Sequence, residues 1–161
     1  MSRRFAVLCG TWIGLAAVGL PQAGVGVSGA DVIAARQASL DMSSITFRAM
    51  GEAMKAGREA SNLGYPAAAL AKWAKALPRM FPAGTGKGET SMNSQALAAI
   101  WSDRAGFDRA AENYVDAAAR LAALAAANDT AGFTKQLDEV DRACHACHVR
   151  YKEGAQGPPK K

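Results

Sequence analysis

Apolar residues recur at seven-residue steps in three separate stretches of the chain. Ile33, Leu40, Phe47 and Met54 form the first series. Leu63, Leu70 and Leu77 form the second, with Trp73, Ala74 and Phe81 on the same side. Phe107, Tyr114 and Leu121 form the third, flanked by Ala110, Ala117 and Leu124. Seven residues make nearly two α-helical turns, so each series predicts a helix with one apolar face. A fourth helix carries Phe133, Leu137, Val140, Cys144 and Cys147. The punctuation agrees. Gly57, Asn62, Gly64 and Pro66 separate the first two helices, and Pro78 shortens the second near its end. Ser102-Asp103 offers an N-cap to the third, Asn128-Asp129 breaks that helix, and Thr130 is expected to cap the last. No alternating strand pattern occurs. The expected fold is all-α: an antiparallel up-down four-helix bundle over residues 31–153, with its longest connection between the second and third helices. Residues 154–161 (GAQGPPKK) read as a frayed tail.

That longer connection, Pro82 to Asn93, is a loop by composition and resembles a phosphate-binding loop only superficially. The position five before Gly86, where that loop needs glycine, is Phe81. Gly88 follows Lys87, where it needs Ser or Thr.

The N-terminus has a different character. Ser2-Arg3-Arg4 precedes an uncharged run of 16 residues, Phe5 to Leu20, which Pro21 ends. A membrane-spanning helix wants about 20 apolar residues. A basic start, a short apolar run and then small residues describe a cleaved export signal rather than a retained anchor. Ser28-Gly29-Ala30 places small side chains at the required positions, so residues 1–30 are expected to be removed before Asp31. Pro21-Gln22-Ala23 is the second choice. Cys9 leaves with the signal, and Leu8 before it is too large for a lipoprotein site.

Composition narrows the field further. At 161 residues, 50% apolar and 20% charged, the chain can bury one domain-sized core. Three cysteines cannot staple it as a disulfide miniprotein. The net charge of +5 suggests a polyanion partner, but Arg3 and Arg4 leave with the signal, and the 131 remaining residues carry +3 without a basic stripe. Nucleic acid is thereby set aside.

The chemistry lies in Cys144-His145-Ala146-Cys147-His148. C-x-x-C-H is the attachment motif of c-type haem. On a helix, positions 144, 147 and 148 share one face, so two thiols can add to the two vinyl groups of one porphyrin while His148 becomes the axial iron ligand. A thioredoxin-like pair would want a βαβ context, and a zinc knuckle a second ligand pair elsewhere. After signal removal every Cys and His falls within these five residues. Thioether attachment outside the cytoplasm agrees with export, and favours an unfolded-chain route over the twin-arginine route that Arg3-Arg4 would also fit. His145, beside Cys144, is expected to be an exposed filler. The sixth-ligand candidates are Met42, Met50, Met54, Met80 and Met92.

A haem motif ending a four-helix chain resembles the cytochrome c-prime family, including its low-spin cytochrome c-556 relatives. Asp31 to Gln37, Leu77 to Pro82, Ile100 to Asp103 with Phe107, and Cys144 to Lys152 carry the likeness. The resemblance implies that the residue four after the first-helix Arg36 faces the open side of the haem, a ligating Met in low-spin members. Here it is Leu40, which also lies on the inward seam. Met42 falls about 200° around the helix and should face away. The resemblance further implies that Arg36 and Gln37 contact the haem edge and propionates, a charge-assisted bond in the case of Arg36. Lys152, four residues after His148, is expected on the same helix face, and the resemblance places a basic residue there on the proximal side.

The reading is therefore a periplasmic c-type cytochrome with one covalent haem c, five-coordinate and high-spin. It would bind NO or CO behind Leu40 and exchange electrons with a redox partner. The resemblance implies a homodimer. The alternative is a low-spin electron carrier with Met as sixth ligand. An enzyme such as a peroxidase is disfavoured, because no distal base is found.

Overall fold

The computed structural model describes residues 26–155. The expected signal segment up to residue 25 and the tail from residue 156 lie outside the described residues. Four long helices make the bundle: α1 (Gly29–Lys55), α2 (Gly64–Ala76), then, after the single turn α3 (Ala99–Ser102), α4 (Arg104–Ala126) and α5 (Thr130–Tyr151). Among the described residues the one β feature is an isolated antiparallel bridge between Ala96 and Lys152.

The seams pack as expected, with instructive departures. Ile33, Leu70, Leu77, Phe107, Tyr114, Leu121, Phe133, Leu137 and Val140 are buried. On α4 the fully covered alanines are Ala111, Ala118 and Ala125. Small side chains there let α2 and α5 approach the α4 backbone closely. The second helix is the short one, at 13 residues. From Leu77 to Met80 the chain tightens into a 3-10 turn with Pro78 in its first positions, since Pro supplies no N–H to the preceding turn.

Two caps differ from expectation. Asp129, not Thr130, caps α5: its carboxylate accepts from the Gly132 amide at 2.8 Å. The Thr130 hydroxyl instead accepts from the Ala60 amide at 3.2 Å, and Asn128, at φ 51°, accepts from the Ser61 amide at 2.9 Å. The turn thus docks onto the α1–α2 connection. The other difference is at the start of α1. Ser28 is its N-cap and forms a reciprocal capping box with Asp31. The helix therefore begins upstream of Asp31, and the box spans the bond expected to be cleaved.

Two apolar clusters result. The larger fills the bundle between α2, α4 and α5 around Leu121 and Phe133. The smaller, of Ala96, Ile100, Phe107 and Tyr151, sits at the end of the bundle that carries the cysteine motif. There α1 and α5 touch sparingly, and a cleft opens between them.

Candidate haem site

Cys144, Cys147 and His148 occupy the last two turns of α5, half-buried and facing this cleft. The main cavity measures about 720 Å³, within the range of cofactor sites. Leu40 and Phe47 of α1, Leu70 and Leu77 of the second helix region, Tyr114 of α4 and Val140 of α5 line it. A smaller cavity of about 110 Å³ adjoins it toward the loop. Leu40, Leu77, Cys147 and His148 line both. Arg36, Gln37 and Lys152 line the smaller one. The fold thus gathers all seven residues singled out in the sequence around two adjoining spaces.

Their partners were less predictable. Arg36 is buried, at 3% exposure, and four of its five N–H groups bind the end of the 3-10 turn and the long loop after it. Nη1 donates to the Met80 carbonyl and the Thr85 hydroxyl, both at 3.0 Å. Nη2 donates to the Thr85 carbonyl at 2.8 Å and the Ser94 hydroxyl at 3.0 Å. Its guanidinium also lies 4.4 Å from the centre of the Phe81 ring. The loop thus accounts for the burial of Arg36 on α1, and among the described residues only its Nε–H is left for a propionate. Gln37 likewise donates to the Asn93 carbonyl at 2.7 Å.

Lys152 is the C-cap of α5 and lines the smaller cavity together with His148. The helix ends at Tyr151, and Lys152 turns into extended backbone (φ −123°, ψ 134°) to bridge Ala96. Its amide still donates to the His148 carbonyl at 3.0 Å. His145 is half-buried on the wall of the main cavity rather than an exposed filler. Met42 is 62% exposed and faces away, in an apolar groove shared with Trp73. Three features escaped sequence reasoning: the Thr85 and Ser94 partners of Arg36, the phenol of Tyr114 on the cavity wall, and the contact of Asp103 with Tyr151. Tyr114 was visible only as a seam residue.

The local chemistry suits a thioether-bound porphyrin. Burial, with smaller contributions from Asp141 and Cys147, pushes the Cys144 thiol up to about 12, and burial pushes Cys147 up to about 11. Both are neutral thiols in the haem-free fold. Burial, with the charges of Lys152 and His145, lowers the His148 pKa. That direction favours the neutral imidazole, the form that ligates iron. Two thiols and an imidazole on one helical face, before a cavity between bundle helices whose walls mix apolar side chains with Asp41, Arg48 and Asp141, define a helical-bundle haem protein of the c type.

Comparison with known proteins agrees. The family model for Cytochrome C' matches residues 31–152, and the chain belongs to that family. It is 33% identical over 102 residues to cytochrome c-554 of Cereibacter sphaeroides, covering 63% of this chain and 61% of that protein. It is 37% identical over 73 residues to cytochrome c' of Rubrivivax gelatinosus, covering 45% and 54%. The chain thus matches little more than half the length of these relatives. The crystal structure of the Rubrivivax gelatinosus protein superposes with a TM-score of 0.69 at 28% identity, over 78% of this chain and 97% of that one. A variant of cytochrome c prime from Alcaligenes xylosoxidans, ferrous and with bound NO, superposes with a TM-score of 0.69 at 25% identity, over 79% and 97%. The family binds covalent haem c through paired cysteines, and Cys144 and Cys147 are that pair here. No helix among the described residues is long and apolar enough to cross a membrane.

Proposed function

We propose that the protein is a periplasmic, gas-binding cytochrome whose haem iron is five-coordinate and high-spin. His148 is its axial ligand and Leu40 covers the opposite side. One observation carries this reading: Leu40 lines both cavities beside His148, and among the described residues no methionine lines either. Met50 is buried in the bundle core and Met42 points out of it. Bound haem would supply an iron with one open coordination position. An apolar cover such as Leu40 disfavours water and anions there, while neutral NO or CO can displace it. The NO-bound relative supports the same ligand class.

The remaining roles follow from placement. Lys152 contributes positive charge near His148, Arg36 and Gln37 hold the loop that closes the smaller cavity, and Arg36 keeps one N–H for a propionate. The groove between α1 and α2, with exposed Met42 beside Trp73, is the face on which a second copy would dock. Electron exchange with a redox partner is retained as a further capacity, and no enzymatic activity is assigned. Removal before Asp31 stays the expected cleavage, and Pro21-Gln22-Ala23 is the alternative that would keep the Ser28 cap of α1. N-terminal sequencing of the exported protein distinguishes the two sites.

The visible spectrum of the exported protein, oxidised and reduced, with and without CO, tests the central reading. A broad high-spin spectrum that shifts with CO is expected. A sharp low-spin spectrum indifferent to CO would replace this reading with the low-spin electron carrier. Leu40→Ala should speed CO binding, and unchanged binding would remove Leu40 from its assigned role.

A further inference from the structure

Tyr151 lies three residues after His148, in the last turn of α5. Helix ends ordinarily leave carbonyls unpaired and fray. This end is held from two sides. Tyr151 is 3% exposed, and its ring packs edge-on against Phe107 with centroids 5.4 Å apart. Its hydroxyl donates to Asp103 Oδ2 at 3.0 Å, and its carbonyl accepts from the Leu97 amide at 3.0 Å. The chain beyond it stays attached to the loop. Lys152 bridges Ala96, the Glu153 amide donates to the Gln95 carbonyl at 2.8 Å, and the Glu153 carboxylate pairs with Lys87.

Asp103 serves two helices at once. Its Oδ1 accepts from the Gly106 amide at 3.2 Å and so caps α4, while Oδ2 takes both the Tyr151 hydroxyl and Arg150 Nη2, the latter at 2.8 Å. Gly106 makes room for this meeting, since a Cβ there would stand 2.6 Å from the Tyr151 hydroxyl oxygen and closer still to Asp103. Tyr151 belongs to the small cluster against which Cys147 packs, not to the main core. The turn bearing Cys147 and His148 therefore lies between this clamp and the cavity.

We propose that Tyr151, clamped by Asp103, is a positioning residue for His148. The inference rests on His148 being the axial iron ligand. A clamped last turn restricts how far the imidazole can tilt or withdraw, and groups that orient a ligand in this way tune the metal it holds.

The test uses two variants of the exported, haem-containing protein. Tyr151→Phe deletes one hydroxyl. Gly106→Ala drives the Asp103 carboxylate and the Tyr151 hydroxyl apart while leaving both side chains chemically unchanged. The readouts are the iron–histidine stretching band of the ferrous protein by resonance Raman, the reduction potential, and amide hydrogen exchange at Lys152 and Glu153 in the haem-free chain. Both variants should shift or broaden the band, move the potential in the same direction and speed the exchange. Covalent haem mass and helix content should be unchanged. Asp103→Asn has one acceptor oxygen, for the Gly106 amide or for the Tyr151 hydroxyl but not both, and should shift the readouts in the same direction by a smaller amount. Parental bands and potentials in both variants would overturn the positioning role, even if their melting temperatures fall. Should the parent show no iron–histidine band because a sixth ligand is bound, the five-coordinate reading fails, and the potential and exchange still decide on the clamp. If one variant does not accumulate with haem, the other and the haem-free exchange decide in the same way.

Discussion

The two ends of the bundle are held by different forces. Around Leu121 and Phe133, both fully buried, alanines of α4 let apolar helices close on one another. At the cysteine-motif end, α1 and α5 are kept apart, and hydrogen bonds through the 81–97 loop replace direct apolar packing. Arg36 ties α1 to that loop, and Tyr151 with Lys152 ties α5 to it. A cofactor cleft cannot be closed by helix-on-helix packing, because its walls must stand apart. Directional bonds to a strap can fix such a separation without filling it.

Mutations separate the two regimes. The largest effect is expected from Phe133→Ala, which empties a fully buried site of the closed end and costs about 4 kcal/mol. Urea denaturation should show this loss with no change in the CO-binding rate. Arg36→Met comes next, at about 3 kcal/mol, because it strips buried loop groups of their donor. Limited proteolysis should then cut between residues 82 and 94, and CO binding should change in this variant. If CO kinetics follow Phe133→Ala and ignore Arg36→Met, the division between the two ends is wrong.

A smaller effect depends on pH. The Tyr151 hydroxyl is the largest influence holding the Asp103 carboxyl below its ordinary value of 3.8; desolvation, next in size, opposes it, and the Gly106 amide and the charges of Arg150 and Arg109 add to the lowering. A group whose pKa is lower folded than unfolded stabilises fully above the unfolded value, and that stability is lost as pH falls through the folded one. The urea midpoint of the parent should therefore drop more than that of Asp103→Asn between about pH 6 and about pH 3. Equal drops would mean that the clamp carries no ionic component. The smallest effect is expected from Ser28→Ala, which removes the cap of α1 and costs about 1 kcal/mol. A melting temperature equal to the parent's would show that the cap is unimportant to the folded chain, and would agree with cleavage before Asp31.

Much of this was readable along the chain because the relevant signals are local. Seven-residue seams are set by helical periodicity, and the positions of Cys144, Cys147 and His148 on one face follow from spacing alone. Leu40 and Met42 also separated as expected, since two helical steps turn a side chain to the opposite side. Where sequence reasoning stopped, the partners are distant in the chain. Thr85 and Ser94 lie 49 and 58 residues from Arg36, and Asp103 lies 48 from Tyr151. No periodicity encodes such pairs.

Caps failed for a related reason. Asp129 and Thr130 are both good N-cap residues, and only the docking of the turn onto Ala60 decided which would serve the helix. The helix stops at Tyr151, and the loop offers the backbone of Lys152 a partner at Ala96, which a continuing helix would have forgone. By itself the sequence determined the helices, their apolar faces and the haem-bearing turn, all of which arise from bonded neighbours and the 3.6-residue period. Tertiary structure alone decided how wide the cleft stands and what holds its two walls, because those depend on polar groups brought together only when the chain closes on itself.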